Sequence, residues 1–188
     1  MGNLTERVSS LNSSLGTMST LEGSSQGYSL SQTAAEENGG LTLNTESNII
    51  NIKFGSTGNF VHEAKHAGQF ETGDMAFSST GMSIGQDVHD EVAAYKAQFA
   101  YDPLSMSGLK STSRANSFNS VTSQWVQGIQ EQPSGSMPYA PGGSANTGTS
   151  PVNINSGRAD LMRAYPLAFS QLVSLPLNFS LKSEPSIY

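Results

Sequence analysis

The chain has 188 residues, of which 36% are hydrophobic and only 13% are charged, so its polar surface should consist largely of uncharged side chains. A formal net charge of −6 disfavours phosphate backbones and anionic membranes, and we expect no nucleic acid as a partner. The absence of cysteine excludes disulfides and thiolate metal ligands. No apolar run is long enough for membrane insertion, and the N-terminus lacks the profile of a signal peptide.

The first predicted element is an amphipathic helix near the N-terminus. Its apolar residues recur at spacings of three and four, which places them on one helix face. They are Leu4, Val8, Leu11, Leu15 and Met18. Serine and glycine are dense from Gly16 to Gly27, so we expect the helix to fray or end there.

Three short strands are predicted next, at 28–30, 41–43 and 48–54, separated by turns rich in asparagine and glycine. In the last strand Ile50 and Ile52 alternate with polar residues, which predicts one buried face and one solvated face. We expect these strands to form a small antiparallel sheet.

Two helices follow the strands. The first is predicted to run from a cap at Asn59 to about Glu71, with Gly73 ending it. The second begins at Asp87, whose carboxylate can cap it, and an acidic residue three positions further on completes a capping box. Pro103 ends this second helix.

The remaining sequence predicts a third helix from Ser117 to Ile129 and a short helix near Arg158 to Tyr165. We expect the whole chain to form a single domain. Its expected parts are an N-terminal helix and linker (1–27), a core (28–132), a flexible surface loop (133–151), and a C-terminal helix with an irregular tail (152–188).

His62, Glu63 and His66 form an H-E-x-x-H motif inside the first of the two central helices. Positions four apart share one helix face, so both imidazoles can bind one metal ion. Glu63 is rotated by about 100° around the helix axis from His62, so it can take a proton from a metal-bound water without binding the metal itself. With only three histidines in the chain, chance is a weak explanation, and the alternative is a solvated helix face that carries two histidines.

The order of strand, turn and motif helix is that of zincin metalloproteins, with Zn²⁺ as the expected cofactor. The sequence therefore predicts an α+β, zincin-like fold. In this fold the small antiparallel sheet packs on the active-site helix, with two to three further helices.

A catalytic zinc needs a third protein ligand, and Glu91 is the strongest candidate. It lies on the apolar stripe of the second helix, where a buried carboxylate requires a cation. The alternative is a salt bridge from Glu91 to Lys65, Lys96 or an arginine. His89 and Asp90 are weaker ligand candidates because they fall off that stripe.

Other side chains could support the site. Asp87, Asp90 and Glu71 are candidates to orient the histidines through their second ring nitrogens. Tyr95 and Tyr101 could donate a hydroxyl to a developing oxyanion, although a tyrosine on an apolar stripe is more often part of the core.

The segment from Asn48 to Pro103 resembles the metallopeptidase-like domains found at the C-termini of bacterial RHS-repeat and related polymorphic toxin proteins. The residues that carry the resemblance cover less than a third of the chain. They are Ile49-Ile50-Asn51-Ile52, His62-Glu63-x-x-His66-Ala67-x-Gln69-Phe70-Glu71-x-Gly73 and Asp90-Glu91-Val92-x-Ala94-Tyr95-Lys96-x-Gln98-Phe99.

This resemblance implies that His62, His66 and Glu91 are metal ligands and that Glu63 is the catalytic base. It also implies a domain made in the bacterial cytoplasm, attached to an RHS-type carrier chain and delivered by a type VI or similar secretion apparatus. A cognate immunity protein would be its partner.

The sequence therefore favours a zinc-dependent metallopeptidase, in which zinc and Glu63 activate water against a carbonyl of a protein or peptide substrate. The alternatives are an inactive binding module on a zincin scaffold, and a domain that cleaves its own RHS-type carrier.

Overall fold

The structure, a computed structural model, describes residues 2–34 and 39–183. Within these ranges the fold is mixed α+β, as predicted, but it has more helices than expected. The helices are α1 (Gly2–Gly23), α2 (Thr57–Thr72), α3 (Val88–Tyr101), α4 (Ser123–Gln127), α5 (Arg158–Ala164) and α6 (Phe169–Leu172). The strands are β1 (Gly27–Gln32), β2 (Gly40–Asn44), β3 (Ile49–Phe54), β4 (Ala76–Phe77), β5 (Ser83–Ile84), β6 (Lys110–Ser111) and β7 (Ile129–Gln130).

The main sheet has three strands in the order β1-β3-β2. Strands β2 and β3 form an antiparallel pair, with Leu41 opposite Ile52 and Leu43 opposite Ile50. Strand β1 pairs with the other side of β3 and runs parallel to it. The sheet is therefore mixed, and the prediction of a purely antiparallel sheet is wrong for β1.

Consecutive strands do alternate in direction, and the parallel pair arises because β3 inserts between its two predecessors. The reason is burial. Ile50 and Ile52 of β3 are 0% and 1% exposed, whereas Leu30 of β1 is 61% exposed. The strand with the most apolar side chains thus occupies the centre, and the polar strand β1 lies at an edge.

Helices α2 and α3 start and end at residues with clear physical roles. The side chain of Ser56 accepts a hydrogen bond from the backbone N–H of Asn59 and caps α2, so the prediction that Asn59 is the cap is wrong. Gly73 ends α2 with a φ of 77°, as expected of a left-handed C-cap. Asp87 and Asp90 form the predicted capping box at the start of α3.

Two hydrophobic clusters meet at the contact between α2 and α3. The first cluster lies between the sheet and α2 and includes Ile50, Ile52 and Ala67. The second surrounds α3 and includes Tyr95 and Trp125. The motif helix therefore has the sheet on one side and α3 on the other.

Two helix predictions differ from the structure. Helix α1 ends at Gly23, within the predicted range of Gly16 to Gly27, but Leu4, Val8 and Leu15 of its predicted apolar face are exposed. Residues 117–129 form a 3₁₀ turn, helix α4 and the start of β7 instead of one helix. The reason is that Thr122 caps a new helix through the N–H of Trp125.

The predicted surface loop at 133–151 contains no named helix or strand, and part of it packs against the rest of the molecule. Thr147 and Gly148 are buried, and the backbone of Gly148 bonds to the backbone of Gln86 and Val88 at the start of α3. The predicted C-terminal helix is confirmed as α5, and a third cluster joins it to Leu181. Among the described residues, no helix combines the length and hydropathy required of a membrane span.

Candidate metal centre

The fold brings together the four side chains that the sequence singles out. His62 and His66 lie on the face of α2 that meets α3, Glu63 lies beside them towards Gly39, and Glu91 lies in the first turn of α3. Each of the four residues is buried, with 3–6% of its surface exposed. They line one cavity of about 210 Å³.

The distances among these side chains match a metal-binding arrangement. The Nε2 atoms of His62 and His66 are 3.1 Å apart. The carboxylate of Glu91 spans both rings, with Oε2 3.5 Å from Nε2 of His62 and Oε1 3.6 Å from Nε2 of His66. Donors on a tetrahedral ion at 2.0–2.1 Å are separated by about 3.3–3.4 Å. The three side chains thus form three corners of such a site.

Two carboxylates flank the histidine pair, and they are not equivalent. Glu63 offers an oxygen within 4.8 Å of both imidazoles, so His62, Glu63 and His66 form a buried group that could hold a metal ion. However, Oε1 of Glu63 already accepts a hydrogen bond of 3.1 Å from the amide of Asn59. Oε2 of Glu91 has no hydrogen-bond partner among the described residues. Glu91 is therefore the better third donor, and Glu63 remains beside the site.

His66 is oriented by Gln69, one turn further along α2. Nδ1 of His66 is 2.6 Å from Oε1 of Gln69, and Nε2 of Gln69 donates to the carbonyl of Asp90 at 3.2 Å. Because that carbonyl can only accept, the amide oxygen of Gln69 must face the imidazole. His66 then carries a proton on Nδ1 and presents Nε2 towards His62 and Glu91.

His62 is held by packing. Its ring meets the ring of Tyr95 edge-on, with centroids 4.3 Å apart, and Tyr95 meets Trp125 in the same manner at 5.1 Å. Nδ1 of His62 is buried and has no hydrogen-bond partner among the described residues. The aromatic contact thus fixes the ring plane, while Nε2 points to His66 and Glu91.

The electrostatics of this group favour a cation between the donors. Burial by itself would raise the pKa of Glu91, but the charge of His66 and the close polar contacts with both histidine rings together outweigh burial and lower the pKa to about 2. Burial by itself would lower the pKa of His66, but the charges of Glu91 and Glu63 and the polar contacts with Glu91 and Gln69 together outweigh burial and raise the pKa to about 9. Two imidazole lone pairs facing each other at 3.1 Å would repel, so this space requires a proton or a metal ion.

The salt-bridge alternative for Glu91 does not describe the structure. Its carboxylate faces the two histidines, and the ammonium group of Lys96 lies over the ring of Phe118. His89 is exposed, and Asp90 accepts the backbone N–H of Asp87 within the capping box. The weaker ligand candidates therefore have other positions or roles.

The candidates proposed from sequence to orient the histidines also serve elsewhere. Asp87 caps α3 and accepts the N–H of Val152 at 2.7 Å, and Glu71 accepts the hydroxyl of Tyr28 at 2.5 Å. Tyr101 is 49% exposed.

Sequence reasoning missed several residues at the site, among them Gln69, Asn59, Tyr139 and Gln86, whose Nε2 lies 3.1 Å from Nδ1 of His66. Gln69 and Asn59 could have been found from helical spacing, since they lie three residues after His66 and four before Glu63. Tyr139 lines the cavity from the predicted loop, and no local pattern connects it to the motif. Its position depends on how the loop packs.

No protein-family model, curated protein or solved structure matches this chain. The resemblance to RHS toxin domains therefore remains an expectation from sequence. The functional interpretation depends on the geometry of the four buried side chains.

Proposed function

We propose that the chain is a zinc-dependent hydrolase of the metallopeptidase type with a zincin-like site. The observation that carries this proposal is the buried triangle of His62, His66 and Glu91, whose donor atoms lie 3.1–3.6 Å apart with Glu63 beside them. A catalytic rather than structural site is supported by the count of donors. Three side chains leave one position of a tetrahedral ion for water, and they line a cavity of about 210 Å³ with room for it.

The donor set favours zinc over harder cations. Two imidazole nitrogens and one carboxylate suit Zn²⁺, whereas Mg²⁺ and Ca²⁺ prefer sites built from oxygen. Zinc, when bound, would act as a Lewis acid that polarises a carbonyl and lowers the pKa of a bound water to about 7.

Glu63 is the residue that we assign to proton transfer. Its carboxylate is buried beside the histidines, and burial raises its pKa despite the opposing charge of both imidazoles. A carboxylate with a raised pKa is a stronger base than one in water, and it can return the proton to a leaving amine. Tyr139 lines the same cavity. Its hydroxyl group could donate a hydrogen bond to the carbonyl oxygen of a substrate.

The proposed substrate is a peptide bond in a protein. From the resemblance we further propose a secreted effector domain, delivered on an RHS-type carrier and neutralised by an immunity protein. These assignments concern the biological setting, and the chemistry proposed for the four side chains does not depend on them.

The experiment compares metal content and hydrolysis in wild type and four variants after loading with zinc. His62→Ala and Glu91→Ala should lose zinc, because each removes a proposed ligand. Glu63→Gln should retain zinc and lose activity by about 10²–10⁴-fold, since only the proton acceptor is removed. His89→Ala is the matched control, because this histidine lies exposed on α3 and should change neither quantity. Equal zinc content in wild type and His62→Ala would refute the proposal.

A further inference from the structure

Asn59 connects the start of α2 to Glu63, and the proposed function does not yet assign it a role. We propose that Asn59 is a positioning residue that holds the Glu63 carboxylate outside the metal coordination sphere, and that Gly39 confines the same contact from the sheet. This inference rests on the proposed function, because it concerns the residue to which proton transfer is assigned.

The orientation of the Asn59 side chain follows from its neighbours. Oδ1 accepts a hydrogen bond of 3.0 Å from the backbone N–H of Gly55, a group that can only donate. The amide nitrogen must therefore face the other way, where it donates to Oε1 of Glu63 at 3.1 Å. Rotating the amide by 180° would place two donors together at Gly55 and two acceptors together at Glu63.

The position of Asn59 on the helix makes this contact available. Asn59 and Glu63 are four residues apart, so their side chains share a face of α2. An asparagine this close to a helix start often serves as the N-cap, but Ser56 fills that role here. The side chain of Asn59 is thus released from capping and can bond to Glu63.

Gly39 limits the space around this hydrogen bond. It lies directly before β2, and a Cβ atom built on it would overlap with both the Glu63 carboxylate and the Asn59 amide. Gly39 also lines the cavity that contains the two histidines. The backbone therefore closes against the pair at a distance that only glycine permits.

The consequence concerns which carboxylate reaches the metal. Glu63 lies close enough to both imidazoles to act as a ligand itself, and it would then compete with Glu91. The bond from Asn59 engages Oε1 and keeps the side chain in one rotamer, so that the second oxygen can accept a proton. Without this bond, the Glu63 carboxylate should move towards the histidines and act as a metal ligand. The site would then still bind the metal but would have no free carboxylate to accept a proton.

The experiment uses zinc-loaded protein and a mixture of internally quenched peptides. Asn59→Leu preserves the approximate size of the side chain and removes the donor. We expect kcat to fall roughly 10- to 100-fold with KM unchanged and with zinc affinity equal to or tighter than that of wild type. Ser56→Ala is the matched control, because it removes the cap of the same helix without touching Glu63, and it should leave kcat unchanged. If Asn59→Leu fails to fold, Gly39→Ala tests the same contact from the side of the sheet. It should also lower kcat, because its Cβ would displace the Glu63 carboxylate and the Asn59 amide.

A second measurement does not require activity. Crystal structures of zinc-free wild type and Asn59→Leu should differ in the rotamer of Glu63, while His62 and His66 stay in place. An unmoved Glu63 with a wild-type kcat would overturn the positioning role alone. Wild-type turnover in Glu63→Gln would instead overturn the proposed function, whatever the result at Asn59.

Discussion

At the scale of single residues, the site is a buried group whose charges depend on one another. Glu91 stays ionised because it faces two imidazoles, and His66 stays protonated because it faces Glu91. A proton on Nε2 of His66 would occupy the space between the two histidines and Glu91, in which we place zinc. Metal and proton therefore compete for the same atoms.

This competition predicts that metal affinity depends on pH. The pKa of His66 is raised to about 9 without metal, so below that pH an incoming ion must displace a proton. Apparent zinc affinity should rise by at most about tenfold per pH unit between pH 6 and 8. Calorimetry in buffers of different ionisation enthalpy should detect about one proton released at pH 7. Affinity that stays constant across this range would contradict the proposed competition.

Gln69 is predicted to control zinc affinity without touching the metal. It fixes the tautomer of His66 through the 2.6 Å contact at Nδ1. Gln69→Leu should weaken zinc binding about 10- to 100-fold, measured by competition with a chromophoric chelator. Gln98→Leu is the control, because Gln98 is also a buried helical glutamine but bonds to Ser105, outside the site. A similar loss of affinity in both variants would indicate general destabilisation instead.

At the scale of elements, α2 is defined by its ends as well as by its motif. Ser56 begins it and Gly73 ends it, with a left-handed backbone that donates to the carbonyls of Gln69 and Phe70. This end matters because Gln69 lies in the last turn of the same helix. A shift of the C-terminal turn would move the residue that orients His66.

Gly73→Ala should therefore lower the free energy of unfolding by about 1–2 kcal/mol, because a Cβ strains a residue at φ 77°. The new Cβ would also meet Cγ2 of Ile154 at 3.1 Å. Gly16→Ala offers the opposite control. Gly16 is inside α1 with open space around it, and alanine there should stabilise the protein by about 0.5–1 kcal/mol. Urea unfolding of both variants measures the two changes in the free energy of unfolding, which should have opposite signs.

At the scale of the whole molecule, the proposed metal joins two hydrophobic clusters. His62 and His66 belong to the helix that packs on the sheet, whereas Glu91 belongs to the helix at the centre of the second cluster. A bound ion would cross-link these two parts in the folded state only, since the three donors are distant in the unfolded chain.

Removal of zinc with a chelator should therefore lower the melting temperature. With free zinc at 100 times the Kd, the expected loss is about 2.7 kcal/mol, or about 5–10 °C for a chain of this size. His62→Ala should melt at the same temperature with and without chelator. A chelator effect of equal size in that variant would place the metal elsewhere.

Local patterns determined much of this protein. The H-E-x-x-H spacing fixed two imidazoles on one helix face, and the apolar stripe of α3 indicated that Glu91 points inward. The caps at Asp87 and Gly73 were also readable, because helix ends depend on residues within one turn. These features could be predicted since each involves neighbours in the sequence.

Only the tertiary structure decided the rest. It placed β3 between β1 and β2, which made one strand pair parallel, and it brought Tyr139 and Gly39 to the cavity. It also assigned the cap of α2 to Ser56, which left Asn59 for Glu63. The physical reason is the range of the interactions. Spacing along one helix is set by 3.6 residues per turn, whereas strand order and loop packing depend on which distant apolar surfaces are buried together.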